Sequence, residues 1–353
     1  MVKQVGIKEI AKLSNTSIGT VDRVLNNRTG VSPKTKQRVL EIVKQTGYVK
    51  NNIASRLKLS AGKKVSIAVV LPKVINGISY WNLPRMGVKK ALNELSDFGV
   101  ELEFIDFSSD DKNHYKKIVD EILGQNYDGI ITVSLFEELS NKLVQYANKE
   151  NKPLVFIDGK NDKVLNTSFI YQNSTKAGEV AGRLLYNTID DDGVYIALTL
   201  VEKSEFQGNQ KERELGFKNF LISKNPNLKI HSVVHTIDAK LEENKILDNL
   251  LSLKTKKGVF VTNSRSYIFA KFLSDKSYNN VKILGFDLNK KNIDYLKEER
   301  IQYLINQKPE LQGYQSLMKI FQKITQDQTV SLNIDIPVEI IIKENLQDSN
   351  DIL

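Results

Sequence analysis

Ser14-Asn15-Thr16-Ser17-Ile18-Gly19-Thr20-Val21-Asp22-Arg23-Val24-Leu25-Asn26 decides how this chain begins. Its first three residues interrupt a helical pattern set by Ile7, Ile10, Ala11 and Leu13, with Lys8, Glu9 and Lys12 on the other face. Asn15 tolerates the left-handed backbone that a tight turn between helices requires. Ser17 suits the N-cap of a second helix running from Ile18 to about Asn26, with Val21, Val24 and Leu25 as its buried stripe. Ala11 is small enough for two helices to cross closely. Ser32-Pro33 reads as a cap followed by proline in the first helical position, opening a third helix. Val39, Leu40, Ile42 and Val43 supply its apolar face and Gly47 its end. The spacing predicts a helix-turn-helix; a three-helix bundle with a merely solvated basic face is the alternative.

Charge points the same way. Residues 1–64 hold 14 Lys and Arg against Glu9, Asp22 and Glu41, a net +11 in a chain whose total is +9. All the basic excess therefore sits at one end, and residues 65–353 sum to −2. A basic helical segment on a nearly neutral body is the electrostatic footprint of a nucleic-acid reader. The 353 residues allow two or three domains, and 41% hydrophobic with 26% charged residues fits an ordinary globular protein. No stretch approaches the 18 or so apolar residues of a membrane span. The opening residues lack an apolar core segment, so a secretory signal is not expected. With no cysteine, disulfides, cysteine-zinc sites and thiol catalysis are excluded, and the cytoplasm is the natural compartment.

From residue 65 the pattern changes. Apolar runs at 65–71, 100–107, 129–133, 153–157, 194–200, 229–234, 258–261 and 281–285 read as buried strands. Amphipathic stretches such as 86–95, 115–123, 177–186 and 216–221 separate them. Strands alternating with helices predict parallel sheets covered on both faces. About 280 residues is large for one such sheet, so two doubly wound halves around a cleft are expected. Ligands in such sheets bind at the carboxyl ends of strands. Tyr80 and Trp81 follow the first strand; Asp158, Asn263 and Asp287 end later ones; Arg213 lies early in a helix after a strand. Each has a plainer reading: Trp81 a core aromatic, Arg213 a surface ion pair, the aspartates caps or turn residues, and Gln307 a helix cap.

The residues Ile7-Lys8-Glu9-Ile10-Ala11, Thr20-Val21-x-Arg23-Val24-Leu25-Asn26, Val31-Ser32-x-x-Thr35, Gly47-Tyr48 and Ala54-x-x-Leu57 together resemble the lactose-repressor (LacI/GalR) family of bacterial regulators. The resemblance implies that the second helix enters the major groove, with Ile18, Gly19 and Arg23 against base edges. Arg23 has the chemistry for a bidentate contact to guanine, and Ile18 for a thymine methyl. Ser17, Thr20, Asp22, Asn26, Ser32, Thr35, Tyr48 and Asn51 complete the DNA-contacting set of the module. Asp22 stands where the family usually has serine, and either accepts from cytosine N4 or shapes the surroundings of Arg23. Lys50 replaces the family's usual proline, and Ser55-Arg56 its usual Arg-Ser order.

The segment Asn51-Asn52-Ile53-Ala54-Ser55-Arg56-Leu57-Lys58-Leu59 is too short to be a stable helix alone. By resemblance it orders as a hinge helix when two copies meet on DNA. Leu57 then wedges into a minor-groove step, with Ala54, Arg56 and Lys58 beside it; unstacking costs a few kcal/mol. The alternative makes Leu57 a linker residue packed on the body. The resemblance extends to the body, with Arg213-x-x-Gly216-Phe217, Gly285-Phe286-Asp287 and Gln307-Lys308-Pro309 as the matching motifs. It implies a periplasmic-binding-protein-like effector domain in which Tyr80 or Trp81 stacks on the effector. Gln172 and Ser264 stand where the family often has aspartate.

The expected organisation is α/β: a helix-turn-helix DNA-binding domain at 1–50, hinge helix and linker at 51–64, and at 65–345 an effector-binding and dimerisation domain of two interleaved doubly wound parallel-sheet subdomains. Residues 346–353 would be a tail. A stacking aromatic with Asp158, Asn263, Arg213, Asp287 and Gln307 suits a polyhydroxylated ligand, a sugar or derivative, with a nucleobase as the alternative. The expected partners are pseudo-palindromic double-stranded operator DNA, a small-molecule effector and a second copy of the chain. No phosphate-binding loop or nucleophile elbow is present. His231 and His235 lie roughly 13 Å apart on one strand face, too far for one metal, and Asp190-Asp191-Asp192 reads as a solvated turn. No metal, cofactor or catalytic set is expected; the rivals are a solute-binding transport protein and a sugar-active enzyme with an appended DNA-binding domain.

Overall fold

The computed structural model describes residues 7–25, 29–46, 64–74, 80–109, 111–189, 191–202, 208–276, 278, 280–325 and 329–346. Two compact units are distinguished. The first comprises residues up to 65 together with 95–101, and the second holds the rest.

The N-terminal unit is built on α1 (Ile7–Leu13), α2 (Ile18–Leu25) and α3 (Pro33–Thr46). Its core consists of Ile10, Ala11, Val21, Val24 and Val39, with Leu25, Val31, Ile42 and Val43 packed around them. Asn15 has φ +48, the left-handed turn that the sequence requires. Two expected core positions are corrected. Leu13 is 53% and Leu40 is 45% exposed. Leu13 lies on the last turn of α1, where the chain swings away, and Leu40 follows the buried Val39 by 100° of helix and so faces outward. Ser14 is buried instead: its hydroxyl donates to the Ile10 carbonyl at 2.7 Å and closes the end of α1.

The α/β body, nearly all of it the second unit, runs β1 (Val65–Pro72), α4 (Asn82–Glu94), β2 (Val100–Phe107), α5 (Lys112–Gly124), β3 (Gly129–Thr132), α6 (Glu137–Lys149), β4 (Leu154–Asp158) and β5 (Ser168–Tyr171). It continues with α7 (Ser174–Ile189), β6 (Val194–Val201), α8 (Gly208–Lys224), β7 (Lys229–Thr236), α9 (Lys245–Leu251), β8 (Lys257–Val261), α10 (Ser266–Ser274), β9 (Val281–Phe286) and α11 (Lys290–Lys297). β10 (Tyr303–Asn306), α12 (Pro309–Thr325), β11 (Ile334–Asp335) and β12 (Glu339–Ile341) complete it. One six-stranded sheet has the order β11-β5-β4-β3-β1-β2, the other β12-β10-β9-β8-β6-β7. β12 pairs antiparallel to β10. The neighbours β1–β3–β4–β5–β11 and β10–β9–β8–β6–β7 pair parallel.

The apolar runs are continuous because both faces are covered. Along β6, Val194, Ile196, Leu198 and Leu200 enter one core, with Leu247, Phe269 and Leu296. Tyr195 and Ala197 enter the other, with Ala177, Ala181 and Phe217. All eight strand runs read from the sequence are strands, whereas β5, β10, β11 and β12 are additional. Those four are short, and β11 and β12 lie at sheet edges.

The chain passes between the sheets three times: after β5, after β10, and between β11 and β12. The side-chain amide of Gln172, just after β5, donates to the carbonyls of Asn306 at 3.0 Å and Pro337 at 3.3 Å, and so ties all three passages together. In each lobe two helices approach to backbone contact. A Cβ at Gly178 of α7 would lie 2.0 Å from the Arg213 carbonyl, and one at Gly216 of α8 2.0 Å from the Thr175 carbonyl. Gly87 and Gly313 serve α4 and α12 in the same way. The close α7–α8 crossing sets the depth at which Arg213 enters its lobe.

Candidate functional site

The outward face of α2 follows from its inward one. Val21 and Val24 are buried, so Ile18, Gly19 and Arg23 point away from the core and are exposed, with Thr20 and Asp22 half-buried beside them. Ser17 caps α2 by accepting from the Thr20 backbone N–H at 3.1 Å, and Ser32 caps α3 by accepting from that of Thr35 at 3.3 Å. Lys12, Lys34, Lys36, Arg38 and Lys44 are exposed on the same small unit. This is a rigid helix presenting one guanidinium and one apolar side chain on a cationic surface, the chemistry of base and phosphate contacts. A Cβ at Gly19 would meet only Ser17 Oγ, at 3.7 Å, so packing does not demand glycine there. Asn26, Tyr48, Asn51, Ala54, Arg56, Leu57 and Lys58 lie outside the described residues, as does Asp190.

In the second unit, strand ends deliver the polar residues. Asp158 closes β4 with φ +78, and Asp287 follows β9 with φ +67. A left-handed backbone is uncommon for residues other than glycine, and aspartate is among those that adopt it. The Asp158 backbone N–H is held by Gln312 Oε1 at 2.8 Å, and the Asp287 N–H by the Ile305 carbonyl at 2.9 Å. Tyr80 donates its hydroxyl to Asp158 Oδ1 at 2.7 Å, and Asn209 Nδ2 donates to Oδ2 at 2.8 Å.

Arg213 is 5% exposed. It donates from one terminal nitrogen to the Thr262 carbonyl and from the other to Gln307 Oε1, both at 2.9 Å. Its guanidinium carbon lies 3.8 Å from the centre of the Phe286 ring. Gln307 turns its amide nitrogen to Asp287 Oδ1 at 2.8 Å, so one side chain bridges the cation and the anion. Gln312 in turn donates to the Gln307 carbonyl at 2.9 Å. Tyr80, Asp158, Arg213, Asp287 and Gln307 thus form one connected cluster. The Trp81 and Tyr80 rings stand nearly perpendicular, with centroids 5.0 Å apart.

Asn263 is differently employed. Its amide donates to the Leu200 carbonyl at 2.6 Å and its oxygen accepts from the Arg265 backbone N–H at 3.3 Å. It braces the strand ends beside Thr262 and takes no part in the cluster's hydrogen bonds. Asn209 and Gln312 belong to the cluster without being candidates from the sequence, and Phe286, part of the sequence motif Gly285-Phe286-Asp287, lies against Arg213. Asn209 carried a signal, because it precedes Arg213 by one helical turn, and so did Phe286, which adjoins Asp287 in that motif; Gln312 carried none.

Burial dominates the electrostatics. It pushes the Asp287 carboxyl up to about 6, against the opposing pull of Arg213 and the Gln307 hydrogen bond. Asp158 is pushed up for the same reason, opposed by Tyr80 and Arg213. Burial raises the Tyr80 hydroxyl well above its ordinary value, and the neighbouring Asp158 and Asp287 add to it. Burial also lowers Arg213, which the two carboxylates counter. The cluster offers carboxylate acceptors, amide and guanidinium donors, and aromatic faces. Among the described residues no group of three or more His, Cys, Asp or Glu side chains is arranged to hold a metal ion.

A two-lobed α/β body with its polar cluster at strand carboxyl ends, carried with a basic helix-turn-helix, defines a ligand-responsive DNA-binding regulator. The chain belongs to the family described as "Periplasmic binding protein domain", which it matches over residues 67–328, and residues 6–51 match "Bacterial regulatory proteins, lacI family". The chain is 27% identical over 293 residues to the probable HTH-type transcriptional repressor ExuR of Bacillus subtilis, covering 80% of this chain and 81% of that protein. It is 25% identical to catabolite control protein A of Staphylococcus xylosus, over 49% of this chain and 50% of that one. Among solved structures it resembles a putative LacI transcriptional regulator from Bacteroides fragilis, with TM-score 0.71 and 24% identity over 80% of this chain and 98% of that one. A solute-binding protein of Burkholderia graminis, in complex with D-arabinose, has TM-score 0.68 and 20% identity over 80% and 96% of the two chains. These two structures share the fold.

Proposed function

We propose that the chain represses carbohydrate-utilisation genes in the cytoplasm, binding a pseudo-palindromic operator as a homodimer and responding to a sugar or sugar derivative held between its lobes. The carrying observation is the cluster joining Tyr80, Asp158, Arg213, Gln307 and Asp287, each reached from a different strand end or helix. Hydroxyl groups of a pyranose or furanose ring donate to carboxylates and accept from amides and guanidinium, while the ring's apolar face stacks on an aromatic side chain. Trp81, half-buried beside Tyr80, supplies that face. Asn263, bonded to the Leu200 carbonyl and the Arg265 N–H, braces the strand ends beside that site.

The regulator works by coupling. The effector favours one arrangement of the lobes, and that arrangement alters hinge pairing on DNA by an interaction free energy of about 1–3 kcal/mol. Two modules read one half-site each, Arg23 through base edges and the surrounding lysines through phosphate. Ile18 adds an apolar contact, and Leu57 opens the minor groove between the half-sites. The chain performs no catalysis in this reading.

A thermal-shift screen against sugars, sugar acids, sugar phosphates and nucleobases tests the ligand class. A ligand at 100 times its dissociation constant stabilises the native state by about 2.7 kcal/mol. Stabilisation by sugars alone supports the reading, stabilisation by nucleobases alone replaces it with the nucleobase alternative, and silence across the panel removes the small-molecule sensor. Turnover of a bound sugar would move the chain to the enzyme class.

A further inference from the structure

The Asn209–Asp158 hydrogen bond joins the two lobes directly. Asp158 ends β4 in the first sheet's lobe, and Asn209 opens α8, which packs in the second. The seat is built on both sides. A Cβ at Gly159 would lie 2.1 Å from Asn209 Oδ1, so the asparagine amide fills the space that only glycine leaves there. On the partner side, the left-handed backbone of Asp158 and its N–H bond to Gln312 fix where the carboxylate points. Helical spacing places Asn209, Glu212 and Arg213 on one face of α8. Around the seam, Lys160 pairs with Asp162 at 2.8 Å, and the charge of Glu212 across the seam acts on Lys160.

We infer that Asn209 is a closure residue: its amide clasps Asp158 across the seam between the lobes, so the chain's own side chains supply part of the bond that holds the lobes together. The two oxygens of Asp158 then have different partners. Oδ1 takes the Tyr80 hydroxyl from the same lobe, and Oδ2 takes Asn209 from the other. A ligand group that reaches Oδ2 competes with the clasp, whereas one that binds Asp287 or Arg213 does not. Asn209 is a positioning residue in this scheme, acting on lobe geometry through Asp158. The clasp stands whether the ligand is a sugar or a nucleobase.

The chain has no cysteine, so two can be introduced as unique label sites. Spin labels on Lys117→Cys of α5 and Lys245→Cys of α9, both exposed and one in each lobe, report the inter-lobe distance in the full-length protein without ligand. Asn209→Ala should lower the ratio of closed to open populations by about tenfold, the usual worth of a hydrogen bond to a charged group, and shift the distance distribution to longer values. Gly159→Ala, which evicts the amide from the other side, should do the same. Asn209→Asp should open the lobes furthest at neutral pH, where two carboxylates face each other, and reclose them as the pH falls and one is protonated. Thermal melts of each labelled variant confirm folding. A distribution in Asn209→Ala and Asn209→Asp identical to that of the parent, at all pH values, overturns the clasp.

Discussion

The two recognition surfaces of this protein are built in opposite ways. On α2 the residues proposed to face DNA stand out in water: Ile18 is 46% exposed, and Arg23 is exposed as well. In the cleft the matching charge is withdrawn: Arg213 is 5% exposed and Asp287 3%. In the proposed role water screens Arg23 until a groove displaces it, so α2 would contribute through shape and long-range attraction, with steep salt dependence. Arg213 is desolvated already, so its partners must be fixed in place, and any change among them is felt by the whole cluster. A surface reader therefore needs only a rigid helix. A buried site needs a network assembled from several parts of the chain.

The largest expected effect tests the rigidity of the helix. Ile10→Ala should cost about 2–5 kcal/mol in a unit whose core holds five buried side chains, enough to melt it alone; two thermal transitions in place of one would register this. Unchanged melting would mean that α2 is not held by this core. In the cleft, Asp287→Ala and Trp81→Ala should each weaken effector binding by about a hundredfold, the effect of leaving a buried polar group unpaired or losing an aromatic face. Operator affinity without effector should stay as it was. Titration calorimetry with the ligand found in the screen measures both variants, and normal affinity in each would displace the site. Arg23→Ala should cost about 1–3 kcal/mol of discrimination at one base pair of each half-site, read by binding to a panel of operator variants. Equal loss on every sequence would reassign Arg23 to phosphate.

Smaller effects separate the regions further. The Asp287 carboxyl is raised from the ordinary 3.8 to about 6. The folded state thus binds a proton more tightly than the unfolded one. Protonation favours folding fully below the ordinary value, and that advantage is lost as the pH rises through about 6. Asp287→Asn should therefore gain melting temperature relative to the parent between pH 4 and 7, and parallel curves would show that another group titrates. Gly19→Ala should leave stability nearly unchanged, since nothing approaches the added methyl closer than 3.7 Å. A large loss would reveal a backbone demand that the helix does not show.

Legibility followed the same divide. Asn15, Ser17 and Ser32 act through neighbours within four residues, and Val21 and Val24 show themselves by helical spacing, so local pattern suffices to read the module. Leu13 and Leu40 are apolar yet exposed, because a short helix buries only a narrow stripe. In the body the long apolar runs were plain, while β5, β10, β11 and β12 were not, because two to four residues carry no period. Tyr80, Asp158 and Asp287 could be proposed from their places after strands, Arg213 from its place early in a helix, and Gln307 from the motif carrying the family resemblance. Their mutual bonds could not, nor could the withdrawal of Asn263 to the Leu200 carbonyl.

By itself the sequence determined the helix-turn-helix, the basic end, the parallel sheets covered on both faces and the strand ends at which polar residues collect. These depend on periodicity and charge, which neighbouring residues express together. Only the tertiary structure decided that Gln172 ties three passages of the chain, that Gln307 bridges Arg213 to Asp287, and that Asn209 meets Asp158. These bonds link residues from 20 to 165 positions apart. A hydrogen bond has a range of about 3 Å, so which donor meets which acceptor is set by how closely helices and sheets pack, and no local pattern encodes that.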